Sequence, residues 1–241
     1  MEAKDRICVA LDVPTVTKAV ELAELLYPYV GWFKVGKAMQ TPTVNARVFD
    51  ALHDVGVRRI FSDNKHIDIP NTVRDAANGE VVNGASMFNV MAQGGSEMMM
   101  AAMEGTCAKA GELDVDRPKV VAVTLLTSIN AEALAQELRV GMDPTEYVVH
   151  LAELAKYSGL DGVVASPLEV AAIREACGDD FLIITPGIRP VGADANDQQR
   201  LATPTVAVKN GSDILVIGRP IIGADDPVAA AQAIAKEIAS V

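Results

Sequence analysis

The sequence has 241 residues, enough for one large α/β barrel or two small domains, and a hydrophobic share of 50% that suits a well-buried core. Its 32 acidic residues exceed its 21 basic ones, so the formal net charge is −11 at pH 7. Because a chain of this charge repels phosphate backbones and anionic surfaces, we expect neither nucleic acid nor a membrane as a partner, and an anionic substrate would need local positive charge.

Short segments of strand-forming residues alternate with longer helical patterns along the whole chain. The predicted strands are residues 7–13, 32–36, 59–64, 87–91, 120–126, 162–165, 181–185 and 214–218. The predicted helices are residues 17–26, 44–55, 70–78, 95–110, 144–157, 168–177, 203–210 and 227–239.

This alternation predicts a parallel sheet with helices packed on both faces. The strand segments are nearly continuous in apolar residues, as from Val120 to Val123, and no linker rich in proline or glycine divides the chain. Eight repeats in 241 residues favour a closed (β/α)₈ TIM barrel, although the spacing alone leaves an open doubly wound sheet as an alternative. We therefore predict a single barrel domain over residues 1–241.

The cysteines and histidines suggest neither disulfides nor a metal centre. Cys8, Cys107 and Cys177 are odd in number and far apart, which predicts reduced thiols in a cytoplasmic protein. The histidines have no spacing typical of metal ligands, so we expect no metal. The first residues lack the long apolar segment of a signal peptide, and no apolar run approaches the ~20 residues that cross a bilayer.

Charged residues stand near the ends of the first three predicted strands, and strand ends carry the chemistry of a barrel. Asp12 lies at the end of the first strand, and Lys34 lies inside the apolar second strand, where a lysine needs an acidic partner to offset its desolvation. Asp63 and Lys65 are two residues apart at the third strand and therefore point to the same face. Asp68 follows just before a predicted helix. In the alternative interpretation these side chains serve only as helix caps ahead of prolines and as a structural ion pair.

The last two predicted strands lead into glycine and arginine, a combination that suits a phosphate. Arg189 follows a Thr-Pro-Gly-Ile segment, and Arg219 directly follows Gly218. Barrels often hold a phosphate with the loops after strands seven and eight, where glycine amides and guanidinium groups meet it. Alternatively, the glycines serve only turns and the arginines pair with surface acids. Thr127 and Ser128, after the fifth strand, could offer hydroxyls to a polar ligand or serve only a turn.

Together these segments resemble the orotidine 5′-monophosphate decarboxylase family, in family order and over essentially the whole chain. The Asp-x-Lys-x-x-Asp pattern alone is shared with barrels that act on sugar phosphates, but the Ile-Pro-Asn-Thr extension and the Asp-Gln-x-Arg loop narrow the choice. The matching segments are Ala10-Leu11-Asp12, Phe33-Lys34-Val35-Gly36, Asp63-x-Lys65-x-x-Asp68-Ile69-Pro70-Asn71-Thr72, Leu126-Thr127-Ser128, Thr185-Pro186-Gly187-Ile188-Arg189-Pro190, Asp197-Gln198-x-Arg200 and Val216-Ile217-Gly218-Arg219-Pro220.

The resemblance implies decarboxylation of orotidine 5′-monophosphate to uridine 5′-monophosphate, a step of pyrimidine biosynthesis, without a metal or an organic cofactor. The catalytic network around C6 of the pyrimidine would be Lys34, Asp63, Lys65 and Asp68, with Lys65 as the proton donor. Asp68 and Thr72 would come from the second subunit of a homodimer. Residues 191–200 would close over the ligand and exclude water.

The same resemblance assigns the contacts to the nucleotide, with Lys34, Asp63 and Thr72 also touching it. Asp12 would bind the ribose hydroxyls, and Thr127 or Ser128 would meet the pyrimidine. The residues implied at the 5′-phosphate are Arg189, Gln198, Gly218 and Arg219.

The sequence departs from the family pattern beside the charged residues but at none of them. The expected Asp-Leu-Lys-Phe-His-Asp is here interrupted by Asn64, His66 and Ile67, and the expected Asn-Val-His-Ala after the fourth strand contains Met91 instead of histidine. Two alternative functions therefore stay open. One is a Mg²⁺-dependent decarboxylase or aldolase acting on 3-keto sugar phosphates, and the other is a non-catalytic nucleotide-binding protein.

Overall fold

The computed structural model describes residues 1–39, 48–190 and 202–241, and within them eight parallel strands close into a barrel. The strands are β1 (Ile7–Ala10), β2 (Trp32–Gly36), β3 (Ile60–His66), β4 (Met87–Met91), β5 (Lys119–Val123), β6 (Gly162–Val164), β7 (Leu182–Thr185) and β8 (Ile214–Ile217). They pair in chain order, and β1 closes the ring by pairing with β8, Cys8 lying opposite Val216. The predicted (β/α)₈ TIM barrel is confirmed, and the open sheet is excluded.

Helices connect the strands around the outside of the barrel, as the right-handed crossovers of a parallel sheet require. In the described ranges they are α1 (Val16–Leu26), α2 (Val48–Asp54), α3 (Pro70–Val82), α4 (Gly95–Leu113), α5 (Ala131–Gln136), α6 (Pro144–Tyr157), α7 (Val170–Cys177), α8 (Pro204–Lys209), α9 (Arg219–Ile222) and α10 (Pro227–Ala239). Short 3₁₀ helices lie at Ala3–Arg6, Lys37–Met39 and Ala92–Gly94.

The main differences from the predicted elements lie at strand ends and in two short helices. β1 ends at Ala10 and β5 at Val123, before their predicted ends, because the residues that follow leave the ladder and line the mouth of the barrel. The sequence pattern did not predict α5 and α9. These helices have six and four residues, respectively, which are too few to show a helical period. Of the predicted helix 44–55, the first four residues lie outside the described part of the chain, and α2 begins at Val48.

Apolar side chains fill both the space between the barrel and its helices and the interior of the barrel. The interior cluster is formed by Cys8, Ala10, Phe61, Met87, Val121, Ile184, Ile214 and Val216, all at most 8% exposed. Burial of this kind is the main favourable contribution to folding. Three members of the cluster, Ala10, Phe61 and Val216, also line a cavity at the carboxyl ends of the strands, so the packed interior forms the floor of that cavity.

β3 departs from regular pairing at the residues that carry its charges. Ser62 pairs with Phe88 and His66 with Val90, so β3 advances four residues while β4 advances two. Lys65, inside this irregular stretch, has a positive φ of 53°. Its backbone N–H donates to the side-chain Oδ1 of Asn89 on β4 at 2.7 Å, which replaces the missing ladder bond.

Among the described residues, every helix is too short or too polar to span a bilayer.

Candidate active site

A cavity of about 460 Å³ opens at the carboxyl ends of the strands, a volume within the range of small-molecule sites. Its polar wall is contributed by residues from the first, middle and last parts of the chain. These are Asp12, Lys34, Asp63, Lys65, Thr127, Ser166, Arg189, Gly218 and Arg219. The closure of the barrel is what brings residues near position 12 beside residues near position 219, since β1 and β8 are neighbours.

Lys34 is the centre of a chain of alternating charges. It lies in the middle of β2 and is only 8% exposed. Its Nζ is 3.1 Å from Asp12 Oδ1 and 3.0 Å from Asp63 Oδ2. Burial alone would lower the pKa of the Lys34 ammonium, but the charges of Asp63 and Asp12 and their hydrogen bonds outweigh burial and raise that pKa. Lys34 therefore stays cationic inside an apolar strand.

Asp63 joins the two lysines. Its Oδ1 accepts from Lys65 Nζ at 2.5 Å and from Asn89 Nδ2 at 2.7 Å, while its other oxygen faces Lys34. Burial would raise the pKa of the Asp63 carboxyl, yet the two ammonium charges and the donated hydrogen bonds lower it from 3.8 to about 2. A carboxylate thus lies between two ammonium groups in the wall of the cavity.

Lys65 reaches this carboxylate despite the break in β3. Asp63 and Lys65 both line the cavity, so they lie on the same side of β3 as expected. The Lys65 side chain remains 39% exposed, whereas that of Asp63 is 14% exposed. An ammonium that is oriented by a buried carboxylate and still open to the cavity can meet a bound ligand.

Asp12 stands at the rim with its side chain 62% exposed. It is not the cap of α1, because the hydroxyl of Thr15 accepts the N–H of Lys18 there. Gly36 lies close by, and a Cβ at this position would come within 3.3 Å of Asp12 Oδ1 and 3.4 Å of Lys34 Nζ. The absence of a side chain at residue 36 therefore leaves room for the pair, a requirement that the sequence pattern did not reveal.

The two arginines after β7 and β8 face the same cavity. Arg189 is 9% exposed, whereas Arg219 is exposed at the start of α9. Burial and then the positive charge of Arg219 lower the pKa of the Arg189 guanidinium. Gly187, also in the wall, has a φ of 77°, a conformation that favours glycine. This arrangement concentrates positive charge in a wall of an otherwise acidic protein.

Polar residues after β5 and β6 complete the wall. Thr127 lines the cavity, but Ser128 is exposed and does not. Ser166, which sequence reasoning missed, lines the cavity and is 2% exposed. Its Oγ accepts the N–H of Leu168 at 3.2 Å, a local turn contact that is common for serine and therefore gave no distinctive signal.

Asp68 and Thr72 do not line the cavity that contains Asp63 and Arg219. They line an adjacent pocket of about 340 Å³ that also touches Lys65. Both residues are exposed. Asp68 is not the cap of α3, since the residue before the helix is Ile69, whose N–H donates to Asp68 Oδ1 at 2.7 Å. Gln198, and the whole segment 191–200 that we expected to close over the ligand, lie outside the described residues.

Asn89 is the clearest residue that sequence reasoning left without a role. It is fully buried on β4, and its one side chain contacts both the Asp63 carboxylate and the Lys65 backbone. An amide in the middle of an apolar strand, like the ammonium of Lys34 on β2, is the signal that could have identified it. Two apolar residues of the cavity lie after strand ends, Leu125 in the loop after β5 and Ile222 at the end of α9, and only the fold defines their positions.

Comparison with known proteins gives one consistent result. Residues 5–234 match the model of the family described as "Orotidine 5'-phosphate decarboxylase / HUMPS family". The chain is 49% identical to the orotidine 5'-phosphate decarboxylase of Moorella thermoacetica, over 99% of this chain and 94% of the relative. It is 50% identical to that of Geotalea daltonii, over 98% and 97%.

A solved structure agrees with these relatives. The crystal structure of orotidine 5'-phosphate decarboxylase from Lactobacillus acidophilus superposes with a TM-score of 0.80 at 40% identity, covering 96% of this chain and 98% of the other. Fold, charged cavity and sequence identity over nearly the full length thus lead to one conclusion: the chain belongs to the orotidine 5'-phosphate decarboxylase / HUMPS family.

Proposed function

We propose that Lys65 is the proton donor in the reaction of this cavity. The chain is a carboxy-lyase that converts orotidine 5′-monophosphate to uridine 5′-monophosphate and CO₂, a step of pyrimidine biosynthesis. The single observation that supports the role of Lys65 is the bond of its Nζ to the buried Asp63 carboxylate at 2.5 Å, inside the cavity.

The reaction explains why an ammonium is needed there. Loss of CO₂ from C6 leaves an electron pair on a ring carbon that cannot delocalise it well, so the site must stabilise developing negative charge. Lys65 carries positive charge and transferable protons to the cavity. We propose that its ammonium approaches C6 and delivers a proton as the carbon–carbon bond breaks, giving uridine 5′-monophosphate.

Asp63 and Lys34 have orienting roles in this proposal. Asp63 accepts from Lys65 on one oxygen and faces Lys34 with the other, so the three side chains restrain one another. A group held in a reactive position contributes more to the rate than a mobile one, because little entropy is lost when the substrate reacts. Asp63 would thereby aim Lys65 and lie beside the carboxylate that leaves.

The phosphate would bind at the opposite side of the wall. Arg189 and Arg219 bring two guanidinium groups near each other, which is favourable when an anion lies between them. We assign the 5′-phosphate to these arginines and to Gly218, the ribose hydroxyls to Asp12, and the pyrimidine edge to Thr127. Phosphate binding far from C6 could then contribute energy to the reaction through the positioning of the ring.

We also propose a homodimer in which Asp68 and Thr72 reach the cavity of the partner subunit. Two apolar side chains flank Asp68 and are exposed, Ile67 at 55% and Ile69 at 66%. Exposed apolar groups next to a charged residue and beside a substrate cavity favour burial against another protein surface. The adjacent pocket that contains Lys65, Asp68 and Thr72 would then be completed by the partner.

The cytoplasm is the compartment that we propose for this enzyme. Cys8, Cys107 and Cys177 are all free thiols, which suits a reducing environment.

Absorbance of orotidine 5′-monophosphate, followed with the protein in the presence and absence of EDTA, tests the proposed chemistry. We expect the same rate in both conditions, because the residues in the cavity supply the charge that a metal would otherwise provide. Turnover that disappears with the chelator would favour a Mg²⁺-dependent reaction of the kind seen with sugar phosphates. No turnover at all would favour a protein that only binds nucleotides.

The Lys65→Ala variant tests the proton donor itself. We expect kcat to fall by ~10²-fold or more, because general acid catalysis contributes a factor of about 10² to 10⁴. Binding of uridine 5′-monophosphate, measured by calorimetry, should survive because the phosphate is held elsewhere. Lys18→Ala is a matched control, since Lys18 is an exposed lysine that pairs with Glu21 on the surface of α1. Near-normal turnover in Lys65→Ala would remove this residue from the mechanism.

A further inference from the structure

The outer face of β3 is polar where the outer faces of barrel strands are usually apolar. Asp63 and Lys65 line the cavity, whereas the side chains of Asn64 and His66 contact Glu80 of α3. The side chain of Asn64 donates both to Ser62 Oγ at 3.1 Å and to Glu80 of α3. The residues that flank Lys65 are therefore tied to a helix outside the barrel.

Glu80 is the residue to which they are tied. It is 3% exposed, and burial of a carboxylate is costly unless it accepts hydrogen bonds. A single oxygen, Oε1, accepts from Asn64 Nδ2 at 2.7 Å and lies 2.8 Å from His66 Nε2. The His66 ring also packs edge-on against Phe88, with 6.2 Å between ring centroids. Both neighbours of Lys65 in the sequence thus meet at one buried atom.

Lys65 between them has the backbone conformation that most needs support. Its φ of 53° is in the left-handed region, which a lysine rarely adopts, and β3 has lost its regular pairing there. Asn89 holds its N–H from the β4 side. The contacts of Asn64 and His66 with Glu80 hold the chain from the α3 side. A strained residue persists where its surroundings determine its position on both sides.

We propose that Glu80 is a positioning residue for catalysis, which acts through Asn64 and His66 to hold the backbone of Lys65 so that the ammonium meets Asp63 in the cavity. This inference rests on the proposed role of Lys65 as proton donor. Asn64 and His66 are also two of the positions at which the sequence departs from the family pattern around the catalytic charges. Their contacts with Glu80 give these two polar side chains a structural role.

Two substitutions of Glu80 distinguish a role in positioning Lys65 from a general contribution to folding. Glu80→Leu removes the acceptor, and we expect kcat to fall ~10- to 100-fold, because a displacement of about 1 Å at a reacting group can cost a factor of this size. KM should change less than ~3-fold, since the phosphate contacts are remote. Glu80→Gln has a side chain of the same length and keeps one acceptor oxygen, so its kcat should be close to that of wild type.

The matched control is Glu104→Leu. Glu104 is an exposed glutamate that pairs with Arg74 between α3 and α4, away from β3, and the variant should keep the wild-type kcat. Amide hydrogen exchange of the segment 60–69 gives a readout apart from activity, and we expect faster exchange at residues 64–66 in Glu80→Leu alone.

Three results would overturn the proposal. The first is a folded Glu80→Leu protein with kcat within about twofold of wild type. The second is a Glu80→Gln protein as impaired as Glu80→Leu, because hydrogen-bond acceptance would then not be the cause. The third is unchanged exchange at residues 64–66. If Glu80→Leu fails to fold, His66→Ala replaces it, since His66 is partly exposed, and an unchanged kcat in that variant would equally contradict the proposal.

The role of Lys65 can fail separately. Turnover that survives in Lys65→Ala would refute the proton donor and with it the catalytic part of this inference. The exchange measurement would still decide whether Glu80 holds the backbone at residue 65.

Discussion

Lys34 shows how single residues in this protein depend on their neighbours. A lysine at 8% exposure inside an apolar strand would be strongly destabilising alone. Asp12 and Asp63 lie on either side of its ammonium at 3.1 and 3.0 Å and offset that cost. The charges form one unit, so removal of any one of them takes from its neighbour one of the opposite charges that it contacts.

Asp63 leads to a prediction about acid stability. Its pKa is lowered from 3.8 to about 2 in the folded protein, so the folded state binds the proton less readily than the unfolded state. The carboxylate therefore contributes stability in full above about pH 4, and this contribution is lost as the pH falls from about 4 toward 2, by about 2 kcal/mol. The free energy of unfolding of wild type and Asp63→Asn, measured by denaturant titration at several pH values, should converge over this interval.

Asp54→Asn is the control for this measurement, because Asp54 is an exposed aspartate at the end of α2. Its stability should run parallel to that of wild type. A constant difference between wild type and Asp63→Asn from pH 5 to pH 2 would contradict the assignment of the acid-sensitive contribution to Asp63.

Arg219 leads to a prediction about the substrate. Arg219→Ala should lower kcat/KM for orotidine 5′-monophosphate ~10- to 100-fold, the value of a hydrogen bond between charged groups. With orotidine, which lacks the phosphate, the variant and wild type should differ by less than ~3-fold. Steady-state assays with both compounds measure this. Equal losses with the two compounds would count against a phosphate site at this arginine.

At the scale of the strands, the two ends of the barrel have different roles, one in catalysis and the other in stability. The carboxyl ends carry the cavity, whereas the amino ends carry ion pairs that join neighbouring strands. Asp161, just before β6, accepts from both terminal nitrogens of Arg117 at 2.7 and 2.9 Å and from the N–H of Val120 on β5 at 2.8 Å. One carboxylate thus connects β5 and β6 at the end remote from catalysis.

Asp161→Ala should therefore affect stability and not turnover. We expect a loss of about 2 kcal/mol, since the variant leaves a partly buried guanidinium and a backbone N–H without their acceptor. This corresponds to a decrease in Tm of about 4–8 °C for a chain of this size, measured by thermal unfolding. The kcat at 25 °C should stay within about twofold of wild type.

Asp116→Ala is the matched control, because Asp116 is exposed and adjacent in sequence to Arg117. It should leave Tm unchanged. A large loss of kcat in Asp161→Ala at a temperature where the protein is folded would contradict the separation of tasks between the two ends of the barrel.

At the scale of the whole molecule, the net charge has the same sign as the phosphate that the cavity is proposed to bind. The net charge is −11, yet Arg189 and Arg219 meet in one wall of the cavity. Electrostatic attraction is therefore local, and long-range steering of an anionic substrate by the whole protein is unfavourable. We propose that residues 1–241 form one barrel domain, an arrangement supported by the pairing of the first strand with the last.

The proposed dimer can be tested by mixing inactive subunits. Lys65→Ala and Asp68→Ala should each lose activity alone. If Asp68 acts across the interface, a mixed dimer contains one site with both residues intact and one site that lacks both. Random reassortment of equal amounts should restore about a quarter of the wild-type activity, because half of the dimers are mixed and each has one intact site.

The control mixes Lys65→Ala with the double variant Lys65→Ala/Asp68→Ala, which cannot form an intact site and should stay inactive. If Asp68 acts within its own subunit, the first mixture will also stay inactive after subunit exchange, which mass spectrometry can verify. That result would refute the cross-subunit role.

The sequence by itself determined the fold class and most of the charged positions. Eight apolar segments separated by helical patterns can bury their surfaces only as a parallel sheet covered by helices, and local periodicity carries that information. Lys34 was recognisable because it interrupts an apolar strand, and Asp63 with Lys65 because of their spacing. The short helices α5 and α9 were missed because a few residues show no period.

Only the tertiary structure decided which of these residues meet and how. Three features do not follow from residues adjacent in the sequence. They are the shift in β3 pairing, the hydrogen bond from the Lys65 backbone to Asn89, and the two contacts of Glu80 with Asn64 and His66. Each depends on the distance between side chains on different elements, and closure of the barrel sets those distances. Local patterns fix the direction of a side chain along its own strand, but packing between strand and helix fixes the partner that it reaches.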